Sequence, residues 1–157
     1  MAEIKLLGTD VDGTLTDGGM YYTAEGDVMK RFHVHDGMGL KMCQAAGIKV
    51  AILTSENTPI VAKRGEKLKL DYVFQGMKCK LEVITKLCEE LGIGLENVAF
   101  IGDDVNDFDI LSAVGVKACP ANAVDKIKCI PNIKIMAAKG GDGAVREFVD
   151  KYILANS

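Results

Sequence analysis

Lys49-Val50-Ala51-Ile52-Leu53-Thr54 carries an unbroken apolar run between two polar ends. Neighbouring side chains of a strand point to opposite faces. A strand apolar on both faces must therefore be covered on both, which is the environment of a parallel sheet. Other strand-like runs recur at residues 4–9, 71–74, 97–101 and 116–119. Stretches with helical signals separate them. In residues 80–91, Leu81, Ile84, Leu87, Cys88 and Leu91 fall on one helical face, and Gly92 stops the helix. Thr58-Pro59 reads as an N-cap followed by a first-turn proline, opening a helix that runs to residue 68. Gly65 within it costs about 1 kcal/mol relative to alanine, which points to a close contact there. Further helices are expected at residues 39–46, 106–114, 123–129 and 143–154, with a weak strand at 133–136. Strands alternating with helices imply an α/β fold with a parallel sheet and right-handed crossovers. The expected strand order is 3-2-1-4-5. One insertion breaks the alternation. Residues 20–23 and 28–34 are β-prone around Ala24-Glu25-Gly26-Asp27, the signature of a hairpin between the first strand and the first helix.

Residues 1–157 fit a single domain. The net charge of −3 gives no electrostatic reason to expect nucleic acid or an anionic membrane surface. No apolar run approaches the roughly 18 residues of a membrane span, and Met1-Ala2-Glu3-Ile4-Lys5 lacks the features of a signal peptide. The five cysteines are odd in number and none forms a CxxC pair. They read as reduced thiols of a cytoplasmic protein rather than as zinc ligands. His33 and His35 read as strand surface rather than as a metal pair.

The chemistry-bearing residues sit at strand ends. Asp10 and Asp12, at i and i+2, leave the first strand facing the same way, and Asp103-Asp104 ends the fourth. In the expected order these two strands flank the switch point, where ligands of open α/β sheets bind. Carboxylates converging there make a hard, oxygen-rich site suited to Mg²⁺. Thr54 and Ser55 end the second strand with a hydroxyl and backbone N–H groups, and Lys80 opens a helix with a fixed cation. Taken singly, Thr54-Ser55 and Asp103-Asp104 could be helix caps and Lys80 a solvated lysine. Together they are the parts that hold a phosphoryl group in transfer.

These residues resemble a known family. Asp10-Val11-Asp12-Gly13-Thr14, Thr54-Ser55, Lys80 and Gly102-Asp103-Asp104-Val105-Asn106-Asp107 match, in order, the four motifs of the haloacid dehalogenase superfamily. Leu15-Thr16-Asp17-Gly18, Phe74-Gln75-Gly76 and Lys139-Gly140-Gly141-Asp142-Gly143 are similar to its small capless sugar-acid phosphatases. Those act on 3-deoxy-D-manno-octulosonate 8-phosphate (KDO 8-phosphate) or on nonulosonate 9-phosphates such as KDN 9-phosphate.

The resemblance implies a Rossmann-like fold without a cap domain and a Mg²⁺-dependent phosphatase. Asp10 would be the nucleophile, and Asp12 would protonate the leaving alkoxide and later activate water. Asp10, the Asp12 carbonyl and Asp103 would hold the metal. Thr54, Ser55 and Lys80 would bind phosphate, Asp107 would orient Lys80, and Asp104 would lie behind the metal. The small-molecule substrate would be a sugar-acid phosphate. The hairpin would build a homotetramer whose neighbours close the site. Glu56 and Lys67 are similar to the nonulosonate branch, with Arg64 pairing the sugar carboxylate. Asp36-Gly37-Met38-Gly39 is closer to the octulosonate pattern, which is the alternative. Two readings from other classes compete. A signalling receiver domain would need an aspartate ending the third strand, where Phe74-Gln75-Gly76 stands, and a non-catalytic assembly module would have lost the aspartates that this chain keeps.

Overall fold

The computed structural model describes residues 2–155. In chain order the strands are β1 (Leu6–Thr9), β2 (Tyr21–Thr23), β3 (Gly26–Met29), β4 (Lys49–Thr54), β5 (Tyr72–Gln75), β6 (Val98–Ile101), β7 (Val116–Cys119) and β8 (Lys134–Ile135). The α-helices are α1 (Val34–Ala45), α2 (Pro59–Leu68), α3 (Lys80–Leu91), α4 (Phe108–Ala113), α5 (Asp125–Lys128) and α6 (Ala144–Phe148). β2 and β3 form a separate antiparallel hairpin. The other strands form one parallel sheet in the order β5-β4-β1-β6-β7-β8. This is the expected 3-2-1-4-5 order with a short sixth strand on its edge.

Strand pleating divides the core into two layers. Leu7, Val50, Ile52, Ala99 and Ile101 pack on one face with Leu40 and Cys43 of α1, Val61 of α2, and Val145 and Phe148 of α6. Leu6, Ala51, Leu53, Val98 and Phe100 face the other way, against Ile84 and Leu87 of α3, Ile110 and Leu111 of α4, and Ile127 of α5. The continuous apolar run of β4 thus serves both layers. Gly65 sits against the Val73 side chain, so a methyl group there would collide with β5.

Several boundaries differ from the sequence reading, most of all those of β3 and α1. β3 ends at Met29 rather than at residue 34, and α1 begins at Val34 rather than at residue 39. His33 stays extended and its Nδ1 accepts a hydrogen bond from the His35 N–H, which caps the helix. The face α1 buries includes Asp36, Gly37 and Gly39, so its apolar periodicity is weak. Gly37 leaves room for the Arg64 guanidinium and Gly39 for the stem of Arg146. At the other end of the chain, α6 is short and continues as a wider π-type turn over Val149–Ile153.

Candidate active site

The loop after β1 is wound onto a single carbonyl. The N–H groups of Thr14, Leu15 and Thr16 all donate to the Val11 carbonyl oxygen, at 3.1, 2.9 and 3.0 Å. Gly13 has φ +83, and a side chain there would also run into the Asp103 carboxylate. Only glycine meets both conditions. The Asp10 N–H donates to the Ile101 carbonyl, which ties this loop to the end of β6. Beyond β6, a 3₁₀ turn over Val105–Asp107 folds back so that Asp107 Oδ2 accepts the Asp103 N–H at 3.1 Å. The two acidic loops are therefore adjacent, as the switch-point geometry requires.

Lys80 lies beneath them. Its Nζ stands 2.8 Å from Asp10 Oδ1 and 2.7 Å from Asp107 Oδ1, and its side chain is 2% exposed. Burial opposes the Lys80 charge, but the two carboxylates outweigh it and its pKa is raised. Burial pushes Asp10 up to about 6, with Asp103 adding to the rise and Lys80 opposing it. Burial and the charge of Asp10 push Asp107 up to about 7. Burial also raises Asp103; Asp10 works against this, while Asp107 and Asp104 add to it.

Carboxylate oxygens of Asp10, Asp103 and Asp107 lie within 4.8 Å of one another. Crowded carboxylates of this kind are relieved by a proton or a cation. Both Asp107 oxygens are already engaged, one by Lys80 and the other by the Asp103 N–H. Asp10 and Asp103 are thus the carboxylates left to face a cation, and the donor set fits a hard divalent ion.

Asp12 is paired with a basic residue. Its Oδ1 is 2.8 Å from Lys30 Nζ, and Lys30 also lies 3.6 Å from Asp27. Burial opposes the Lys30 charge, but the hydrogen bond from Asp12 and the charges of Asp12, Asp27 and Glu56 raise its pKa.

A cleft of about 160 Å³ opens above these groups, lined by Asp10, Asp12, Thr54, Ser55, Glu56, Asp103, Asp104 and Asn106. Thr54 is buried and its Oγ1 accepts the Glu56 N–H at 3.2 Å. Asp104 is exposed and caps the 3₁₀ turn through Val105 N–H. A larger cavity of about 620 Å³, lined by Lys5, Gly47, Lys49, Leu91 and Ile93, lies where β1 and β4 begin, away from the acidic loops.

Arg64 and Lys67 are not part of this cleft. Arg64 stacks on Phe32 with its guanidinium carbon 5.4 Å from the ring centroid, and Lys67 is exposed in the last turn of α2. Two residues that the sequence did not single out hold the site together. Lys30 is one. Asn122 is the other: its Nδ2 donates to the Gly13 carbonyl and its Oδ1 accepts the Gly140 N–H, at 3.0 and 2.7 Å. A lysine in a β-prone run and an asparagine after a proline carry no local signal of such contacts.

Residues 34–115 match the family model described as haloacid dehalogenase-like hydrolase. The 3-deoxy-D-manno-octulosonate 8-phosphate phosphatase of Haemophilus influenzae is 37% identical over 155 residues, spanning 99% of this chain and 86% of that protein. The chain belongs to the haloacid dehalogenase-like hydrolase family. With phosphatase relatives matching across nearly its whole length, it is an enzyme of phosphatase type. Among solved structures, the phosphatase of the same name from Moraxella catarrhalis, in complex with magnesium ion, phosphate ion and KDO, superposes with a TM-score of 0.91 at 36% identity. It covers 97% of this chain and 86% of its own. The cobalt-bound form of the Haemophilus influenzae enzyme gives a TM-score of 0.92 at 37% identity, over 98% of this chain and 89% of that one. The likeness thus extends across the capless frame of this hydrolase, including Asp10 and Asp12, which precede the span of the family match.

Proposed function

We propose that this hydrolase is a Mg²⁺-dependent phosphatase of KDO 8-phosphate. The observation that carries the chemistry is the Asp10–Lys80–Asp107 arrangement beside Asp103. Asp10 attacks phosphorus and becomes an aspartyl phosphate, while Asp12 gives its proton to the departing sugar oxygen. Asp12 then takes a proton from the water that cleaves the intermediate. Lys80, Thr54 and Ser55 hold phosphate oxygens, and Asp107 fixes Lys80. Asp10, Asp103 and the Asp12 carbonyl would hold Mg²⁺, and Asp104 would lie behind them. When bound, the metal offsets the repulsion between a carboxylate and a phosphate dianion.

The substrate rests on the relatives, which are named as KDO 8-phosphate phosphatases and match nearly the whole chain. They favour the octulosonate over the nonulosonate reading. A nonulosonate 9-phosphate is kept as the second reading because Glu56 lines the cleft beside Thr54, where a sugar hydroxyl would meet it. Arg64 and Lys67 lie outside that cleft, so they would act on a sugar only across a subunit boundary.

The active form is a homo-oligomer, a tetramer built through the β2–β3 hairpin, in which each single-domain subunit closes a neighbour's shallow cleft. Met20, Tyr21, Tyr22, Val28 and Met29 on the hairpin, with Val34 and Met38 on α1, are exposed. Their exposure supports association. Among the described residues no helix is long and apolar enough to cross a membrane; the proposed location is the cytoplasm.

A phosphate-release screen against KDO 8-phosphate, KDN 9-phosphate and N-acetylneuraminate 9-phosphate tests the assignment. The highest kcat/KM is expected on KDO 8-phosphate, abolished by excess chelator and restored by Mg²⁺. Preference for a 9-phosphate moves the assignment to the second reading, and full activity in chelator removes the metal from it.

A further inference from the structure

Lysine side chains on two-stranded hairpins ordinarily lie in solvent, and an exposed ion pair there contributes little. Lys30 does not fit that description. Its side chain is 1% exposed, its Nζ donates to Asp12 Oδ1 at 2.8 Å, and Asp27 Oδ2 and Met20 Sδ lie at 3.6 and 3.9 Å. The segment around it is pinned residue by residue. Arg31 donates to the Gly141 carbonyl and to Asp142, both at 3.1 Å. Phe32 pairs with Thr16, in the loop that carries Asp12. Successive residues at the hairpin base thus clamp the catalytic loop, and Lys30 is the one that reaches its carboxylate.

We infer that Lys30 is the positioning residue for Asp12, fixing that carboxyl group so that its second oxygen carries the proton exchanged with substrate. This rests on the reading of Asp12 as the general acid and base. An ammonium group has three donors and no acceptor. Lys30 therefore donates to Oδ1, and Oδ2 is the oxygen left to exchange a proton with substrate. In the first half-reaction the bond from Asp10 to phosphorus forms as the bond from phosphorus to the leaving oxygen breaks, and the Oδ2 proton passes to that oxygen. In the second, water adds to phosphorus, the bond to Asp10 breaks, and Oδ2 takes the proton of the water. Lys30 stays protonated throughout and touches no reacting atom. Nothing else among the described residues donates a hydrogen bond to the Asp12 carboxylate, so without Lys30 the side chain is free to change rotamer.

The test is a series of aryl phosphates whose leaving phenols run from weakly to strongly acidic, measured as kcat/KM, which reports the phosphorylation step. A good leaving group needs no proton; a poor one does. These small esters also bypass any contact with a sugar. Against phenyl phosphate, Lys30→Met should lose at least about tenfold, part of the 10²–10⁴-fold that general acid catalysis contributes. Against 4-nitrophenyl phosphate it should lose less than about threefold. The dependence on leaving group should steepen in Lys30→Met and in Asp12→Asn, and Lys30→Arg should restore the wild-type slope. Lys30→Leu, which also lacks a donor, replaces Lys30→Met if that variant does not fold. If Asp12→Asn steepens the slope and the Lys30 variants lower every rate equally, or change nothing, Lys30 has no positioning role. If Asp12→Asn itself leaves the slope unchanged, the assignment of Asp12 as the acid fails instead.

Discussion

Two lysines contact the aspartates of the β1 loop, and they come from different kinds of structure. Lys80 opens α3, a helix packed through Ile84 and Leu87 on the central sheet. Both of its partners, Asp10 and Asp107, are buried in the same frame. Lys30 follows β3, in a hairpin that among the described residues makes no strand pairing outside itself apart from the bridge at Phe32. A two-stranded hairpin is at best marginally stable alone, and this one leaves Tyr22 65% exposed. The floor of the site is therefore assembled within a single chain. Its wall is held at the base and exposed at the tip. In the proposed mechanism the floor serves phosphate, which every monoester shares, and the wall serves the leaving group, which differs between them.

The largest effect is expected from removing the floor lysine. Lys80→Met leaves Asp10 and Asp107 buried without their counter-ion, and losing one partner of a buried pair typically destabilises by about 3–5 kcal/mol. It also removes a charge aimed at the transferred phosphoryl group. The kcat should fall by about 10²–10³-fold, equally for aryl and alkyl phosphates, and the melting temperature should drop. Calorimetry and paired assays on 4-nitrophenyl phosphate and KDO 8-phosphate check this. A Lys80→Met loss that depends on the leaving group would erase the distinction between floor and wall.

A smaller effect, confined to one substrate class, is expected at the hairpin tip. Tyr22→Glu places a charge on the exposed apolar surface without touching Asp12 or Lys30. Light scattering should show a smaller species, and kcat/KM on KDO 8-phosphate should fall by about tenfold, or roughly 1.4 kcal/mol. Activity on 4-nitrophenyl phosphate should change by less than about twofold. Persistence of the assembly, or equal loss on both substrates, means that the hairpin is not the closing surface.

The same contrast explains what the sequence revealed. The floor was legible because its parts obey local rules. Asp10, Thr54 and Asp103 follow apolar runs, Lys80 opens an amphipathic helix, and strand order alone brings their loops together. Asp107 was nominated by resemblance, and the geometry gives the physical reason for its place: one oxygen holds Lys80 and the other holds the Asp103 N–H. The wall was not legible. The Lys30–Asp12 contact spans 18 residues and depends on how a hairpin base folds back. Asn122 meets Gly13 across 109 residues. The start of α1 was hidden for a related reason: its first turns bury Asp36, Gly37 and Gly39, which have no apolar signature, ahead of Leu40 and Cys43, and its cap is a histidine. Substrate choice was the least legible, because Glu56 lines the cleft whereas Arg64 and Lys67 lie outside it within one chain.

The smallest effect is expected at an ion-pair network outside the site, which sets a baseline for both lysines. Asp71 Oδ2 accepts the Val50 N–H at 2.9 Å and Gln44 Nε2 at 3.0 Å, and Lys49 Nζ lies 3.7 Å from Oδ1. It ties the turn after α2 to the beginning of β4, the end of the sheet away from the cleft. Burial pushes the Asp71 carboxyl up, but the hydrogen bonds from Gln44 and Val50 and the charge of Lys49 outweigh it, and its pKa is lowered. A depressed carboxylate binds fewer protons in the folded state than in the unfolded one, so stability rises with pH across that interval. Its contribution is in place above the ordinary carboxylate pKa of about 4 and is lost as pH falls through the folded value. Asp71→Asn cannot carry the charge at any pH. At pH 7 its melting temperature should be lower by about 2–4 °C, the shift that ~1 kcal/mol produces in a domain of this size. Solvent screening of this partly exposed group limits the effect to that scale. The gap should narrow below about pH 4 as wild type loses the same charge. Turnover of 4-nitrophenyl phosphate should stay within about twofold of wild type, since ~0.4 kcal/mol is all such a ratio represents. A gap that is constant with pH would show that Asp71 acts through packing alone. A large loss of turnover would mean that the amino end of β4 is coupled to Thr54 and Ser55 at its other end, and the floor would then extend through the strand.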